Sequence, residues 1–211
     1  TAIRRQRQMC IRDRINRNYS LAARLMLGKS VGDKPQKFFL GGNSQMMIFS
    51  DTQTEGRDDS GFYAQRVLDY DNTSILEDVY FSEYVFPLRG ARYRERVGEN
   101  VAVANFEFRF PFVNYVDVSF PARIRFGNIF GHLFVDVGAA WDSSEEFDNS
   151  ELVRNKYGLS DPKASPILTT FGIGTKIFTP FALIRIDTAW DKYPSGGYSK
   201  PQYIISFGYD W

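Results

Sequence analysis

The sequence predicts an all-β protein, an antiparallel transmembrane β-barrel represented by about seven strands. Three observations predict it. Apolar residues recur with period two over segments as long as the roughly 9–11 residues that a membrane strand needs. The connections between these segments alternate between short and long, with 113–128 as the exception, as the two ends of such a barrel require. Aromatic residues gather at the segment ends (Tyr19, Trp141, Trp190, Tyr203 and Trp211), where interfacial girdles belong.

Composition agrees. The 211 residues are 43% apolar and 16% aromatic, with 19 Phe, 12 Tyr and 3 Trp, which excludes a disordered chain. A single cysteine, Cys10, excludes a disulfide scaffold. No apolar run reaches the ~18–20 residues of a membrane helix. A mean hydropathy of −0.34 suits a barrel, whose strands dilute one apolar face with a polar one.

Residues 1–17 stand apart. The opening run from Thr1 to Arg14 has no initiator Met and no signal-peptide pattern. It resembles translated sequencing-adaptor read-through, and residues 1–17 are read as a non-native leader and lead-in outside the fold. A basic arm for phosphate is the other reading. Without its six Arg and one Asp, the net charge of +1 becomes −4, so nucleic acid is not an expected partner. What remains, 18–211, reads as the C-terminal fragment of something longer.

The strands follow in order. In 19–28, Tyr19, Leu21, Ala23, Leu25 and Leu27 share one face and Arg24 lies on the other. A turn at 31–35 leads to Lys37-Phe-Phe-Leu-Gly-Gly42, a short strand running into a loop. Residues 43–99 read as a long irregular loop, a length that usually carries function. In 101–112 the alternating set Ala102, Ala104, Phe106, Phe108, Phe110 and Phe112 opposes Asn105, Glu107 and Arg109. In 129–141 Leu133, Val135 and Val137 oppose His132, Phe134 and Asp136. A polar loop spans 142–165. Strands at 167–177 and 181–190 place Lys176, Arg185 and Asp187 opposite their apolar faces. The last strand, 203–211, sets Tyr203, Ile205, Phe207, Tyr209 and Trp211 on one face. No segment shows helical periodicity. Charge on the opposite faces (Arg24, Glu107, Arg109, Asp136, Lys176, Arg185 and Asp187) suits a wet lumen better than the dry core of a soluble sandwich or propeller, where alternation is equally expected.

Several motifs carry a resemblance. Tyr203-Ile-Ile-Ser-Phe-Gly-Tyr-Asp-Trp211 resembles the C-terminal targeting strand of outer-membrane barrels. Lys37-Phe-Phe-Leu-Gly-Gly42 followed by Leu88-Arg-Gly-Ala91 resembles the bacterial surface antigen superfamily, the BamA-, TamA- and FhaC-like barrels, whose signature is Leu-Gly-Gly and then Val-Arg-Gly-aromatic. Leu88 stands in place of Val and Ala91 in place of the aromatic. Asn105-Phe-Glu-Phe-Arg-Phe-Pro111, Phe134-Val-Asp-Val-Gly-Ala-Ala-Trp141 and Phe181-Ala-Leu-Ile-Arg-Ile-Asp187 resemble the family's following strands. The long insertion is similar to members that carry a TolB-like propeller upstream.

The resemblance implies the C-terminal part of a sixteen-stranded barrel in the bacterial outer membrane, acting in insertion of proteins into that membrane or translocation across it. It also implies a loop lock in which Arg89, flanked by Gly90, reaches into the lumen and pairs with Glu107 and Asp136. Arg109, His132, Lys176, Arg185 and Asp187 would line the lumen. The implied partners are outer-membrane lipid, client outer-membrane or secreted polypeptides, and an N-terminal periplasmic domain. A passive channel, or an anchor for such a domain, shares these motifs; a soluble ligand-binding β-domain is a further class.

Nothing points to an enzyme, a cofactor or a metal. His132 is the only histidine, which leaves neither a Ser-His-Asp triad nor a metal cluster. Gly172-Ile-Gly174 lacks the third glycine and the helix of a nucleotide loop; these glycines are expected to make room in the lumen or bend a strand. Glu107 and Asp136 suit wall carboxylates paired with arginine better than a hydrolytic pair.

Overall fold

The computed structural model describes residues 3–16, 19–33, 35, 37–42, 46–50, 57–58, 61–62, 85–91, 95–113, 116–118, 124–126, 129–157, 165–178, 183–193 and 196–208. Its first strands are β1 (Ile3–Asn16), β2 (Tyr19–Val31), β3 (Phe38–Leu40), β4 (Met46–Ser50), β5 (Arg57–Asp58) and β6 (Gly61–Phe62). Next come β7 (Val85–Phe86), β8 (Arg96–Gly98), β9 (Asn100–Val113), β10 (Val116–Val118) and β11 (Ile124–Phe126). The C-terminal group is β12 (Ile129–Trp141), β13 (Ile167–Phe178), β14 (Leu183–Lys192) and β15 (Gln202–Gly208).

One large antiparallel sheet dominates, in the order β1-β2-β9-β12-β13-β14-β15-β4. Among the described residues it does not close on itself; β1 and β4 are its two edges. Strands β2, β9, β12, β13 and β14 are 10 to 14 residues long, enough to cross a bilayer when tilted. Because the side-chain period is two, the register puts one set of residues on each face throughout. The outer face is apolar and open: Leu21 is 48% exposed, Phe106 55% and Tyr203 50%. The inner face holds Asn105, Glu107, Arg109, His132, Asp136, Lys176, Arg185 and Asp187, all buried.

The outer face carries aromatics at both ends. At the end of the long connections, Phe171 stacks on Trp190 and meets Tyr198 edge-on, and Trp141 meets Phe147. At the other end, Tyr19 stacks on Phe108; Phe130 packs edge-on against Phe178 there from inner-face positions. Rings at both rims are where a bilayer's two interfaces would lie.

A small sheet, β7-β3-β8, lies inside the large one. Here the structure differs from the sequence reading. Lys37–Gly42 does not form a strand of the barrel wall; β3 pairs with β7 and β8 instead. Phe38, Phe39 and Leu40 are all buried because this strand has protein on both faces. Its side chains join Phe86, Leu88 and Ala91 and the wall residues Met26, Val101, Val103, Ala140 and Leu168 in one apolar cluster. The wall is therefore dry at this level, filled by the chain's own inserted segment rather than by water.

Other expectations also shift. The 43–99 stretch is not wholly irregular, since β4, β5, β6, β7 and β8 fall in it. β4 pairs with β15 and extends the sheet. The loop at 142–165 holds a 3-10 turn, Ser144–Phe147, and a helix, α1 (Ser150–Tyr157), whose first turn is capped where the Glu151 N–H donates to Asn149 Oδ1. The 3–16 stretch, read as a leader outside the fold, pairs with β2 along its length. It lacks the alternation of its neighbours: opposite the outer-face residues Leu21 and Leu27 stand Asp13 and Arg7.

Candidate functional site: the arginine turn on the inner wall

The site begins with two short motifs that bind each other. Gly41 N–H donates to the Phe86 carbonyl and Gly42 N–H to the Ala91 carbonyl, while Leu88 N–H donates back to Gly42. Ala91 N–H donates to the Leu88 carbonyl and closes a turn with Arg89 and Gly90 at its centre. Gly90 has φ +80°, the value at the third position of a type II turn, which only glycine takes readily. A side chain there would also meet Ala189 Cβ at 2.6 Å. Leu-Gly-Gly and Leu-Arg-Gly-Ala thus form a single unit that aims Arg89 at the wall.

Arg89 is fully engaged. Its Nε donates to Asp136 Oδ2 and its Nη2 to Asp136 Oδ1, both at 2.8 Å, a bidentate fork. Its main-chain N–H also donates to Asp136 Oδ2, at 3.3 Å. Nη1 donates to Glu107 Oε2 at 2.8 Å. The guanidinium lies 3.8 Å above the centre of the Phe134 ring, a cation–π contact. Burial alone would lower the Arg89 pKa, but Asp136, and then Glu107, hold the guanidinium above its ordinary value. It stays charged.

The strand register explains this convergence. Glu107 on β9 is paired with Phe134 on β12, and Asn105 with Asp136. Glu107, Phe134 and Asp136 therefore make a patch one strand pair wide, and Arg89 covers it. Phe134 has room to lie flat because it faces Gly172 on β13, where a Cβ would collide with the ring and with the Thr188 carbonyl. Glu107 also accepts from Arg109 Nε at 2.6 Å and from Lys176 Nζ. One carboxylate thus meets three cations. Buried ionic groups persist only with such pairing.

The remaining lumen residues separate into two sets. Arg109 and Lys176 join the Arg89 node through Glu107. His132, Asp187 and Arg185 form a second group: His132 Nε2 lies 2.8 Å from Asp187 Oδ1, and Arg185 Nε lies 4.0 Å from Asp187 Oδ2. In the terminal strand, Tyr203, Ile205 and Phe207 keep to the outer face of β15, with Ile204 and Ser206 buried on the inner one. Tyr209 and Trp211 lie outside the described residues.

Sequence reasoning missed three contacts: Phe134 beneath the guanidinium, the convergence of Arg109 and Lys176 on Glu107, and the buried pair of Glu95 and Arg96 beside β3. The shared inner-face parity of Glu107, Arg109, Phe134 and Lys176 was the available signal for the first two. Among the described residues, no group of three or more His, Cys, Asp or Glu could hold a metal ion.

An apolar outer face, aromatic rims and a buried charged inner wall define an outer-membrane β-barrel. The model of the Omp85 superfamily domain matches residues 12–210, and the chain belongs to that superfamily. It is part of a bacterial outer-membrane barrel. No curated protein matches the chain.

Proposed function

We propose that this barrel inserts proteins into the outer membrane or translocates them across it, and that Arg89 locks the inserted turn to the barrel wall. The observation that carries the proposal is the bidentate contact of Arg89 with Asp136, reinforced by Glu107. Membership in the Omp85 superfamily supports it at the level of class. A buried guanidinium with two carboxylates fixes a loop in one place far better than an exposed pair could, because Arg89 and Asp136 would be stranded if the contact opened. Outer-membrane lipid, client polypeptides and a periplasmic N-terminal domain are the partners of this reading.

The test is depletion of the full-length protein in its host, followed by quantification of outer-membrane and secreted proteins. A fall in several unrelated barrel or secreted proteins is expected. Unchanged levels, with altered solute permeability or loss of one surface-attached activity, would favour a passive channel or an anchor instead.

A further inference from the structure

We infer that Arg96 is a second positioning residue, which ties the inserted sheet to the connection between β12 and β13 and passes a displacement of that connection to β8 and β3 while the Arg89–Asp136 contact stays closed. Arg96 lies on β8, paired in register with Leu40 on β3, and is 1% exposed. Its Nε donates to the Ser165 carbonyl and its Nη1 to the Glu95 carbonyl, both at 2.9 Å. The Glu95 carboxylate stands 3.8 Å from Nη1. Ser165 is where the connection returns to the wall: its Oγ accepts from the N–H of Ile167, the first residue of β13.

The start of the same connection is held by the same segment. Asp142 directly follows β12, and its Oδ1 accepts from the N–H of Glu99, the residue after β8, at 2.9 Å. Asp142 N–H donates in turn to Glu146 Oε1 in the 3-10 turn. Gly98 lies against the Trp141 main chain, where a Cβ would come within 2.3 Å of the nitrogen, so β8 meets the end of β12 backbone to backbone. Burial decides what these contacts do. A guanidinium shut away from water must keep its donors occupied, and hydrogen bonds from charged donors are the strong ones. Drawing Ser165 away therefore either strands Arg96 or draws β8 along, and β8 is paired with β3 over its whole length. The Arg89 side chain bonds to Asp136 and Glu107, outside this set. The inserted sheet is thus held at two separate points, by Arg89 to the wall and by Arg96 to the connection, whatever the barrel carries.

The test is amide hydrogen exchange of the full-length protein in lipid nanodiscs, which reads local opening segment by segment. Arg96→Met keeps bulk and removes the donors. Exchange should rise several-fold at 38–40 and 96–99, and also at 142–146 and 165–167, with 88–91 unchanged. Arg96→Lys keeps the charge without the planar fork and should recover part of the protection. Asp142→Ala, a change on the connection side alone, should raise exchange at 38–40 through β8. A rise confined to 96–99 in Arg96→Met would make Arg96 a local packing residue and overturn the proposal. An equal rise at 88–91 would show that Arg96 and the Arg89 turn open as one unit, and would overturn it too. If Arg96→Met does not fold, Asp142→Ala decides, since unchanged exchange at 38–40 contradicts the coupling.

Discussion

Arg89 and Asp136 meet through two parallel hydrogen bonds of 2.8 Å although 47 residues separate them in the chain. The contact joins a turn inside the barrel to the middle of a wall strand. It commits the whole inserted segment, because β3 and β7 are tied to the same turn through Gly41 and Gly42.

Removing both partners of this contact should cost less than the sum of removing each. Arg89→Ala strands Asp136 in a buried site and leaves Glu107 to Arg109 and Lys176, a loss of about 3–5 kcal/mol. Arg89→Lys keeps the charge but not the fork, and should recover part of it. Combining Arg89→Ala with Asp136→Ala should give less than the sum, by about 0.5–3 kcal/mol. Denaturant unfolding of the full-length barrel in lipid, followed by heat-modifiable gel migration, reads Arg89→Ala, Asp136→Ala, Arg89→Lys and the double variant. Strict additivity would mean that the two side chains do not stabilise one another.

Gly90 answers for backbone and for space. Gly90→Ala forces an L-residue to φ +80° and drives its Cβ against Ala189. The strained backbone alone costs about 1–2 kcal/mol. Adding Ala189→Gly removes the clash but not the strain, so rescue should be partial. Protease resistance of the loop is the readout; wild-type resistance in Gly90→Ala would rule out a tight turn there.

The outer face makes a membrane-specific prediction. Phe106 is 55% exposed in the middle of β9. Phe106→Arg should cost about 2–4 kcal/mol if the residue faces lipid near the bilayer midplane. On a water-facing surface the same change would fall within about 0.5 kcal/mol. Unfolding titrations in vesicles separate the two.

If β15 belongs to the proposed targeting strand, a targeting defect is the expected outcome of truncating it. Tyr203, Ile205 and Phe207 keep the alternation of a membrane strand up to the end of the described residues. Deleting Trp211 from the full-length protein should lower its yield in the outer membrane. An unchanged yield in fractionated membranes would remove the targeting role from this strand.

Much of the fold was legible because period-two alternation is a direct image of a wall with two different sides. The six long segments 19–28, 101–112, 129–141, 167–177, 181–190 and 203–211 fall on β2, β9, β12, β13, β14 and β15. Lys37–Gly42 misled because Phe38, Phe39 and Leu40 are consecutive apolar residues, the mark of a strand buried on both faces rather than of a wall strand. Val101, Val103, Ala140 and Leu168 lie on inner-face positions, and that apolar patch was the sign of a filled lumen. The partners of Arg89 were legible only through motif resemblance, since nothing local links a turn at 88–91 to carboxylates at 107 and 136. α1 escaped notice because eight residues in a polar loop offer barely two turns of periodicity.

The most direct test of the central claim is the abundance of client barrels in cells whose only copy of the full-length gene carries Arg89→Ala, normalised to the amount of variant in the membrane. If the locked turn serves insertion or translocation, clients fall several-fold while the variant itself still reaches the outer membrane. Wild-type client levels at equal abundance would contradict the account.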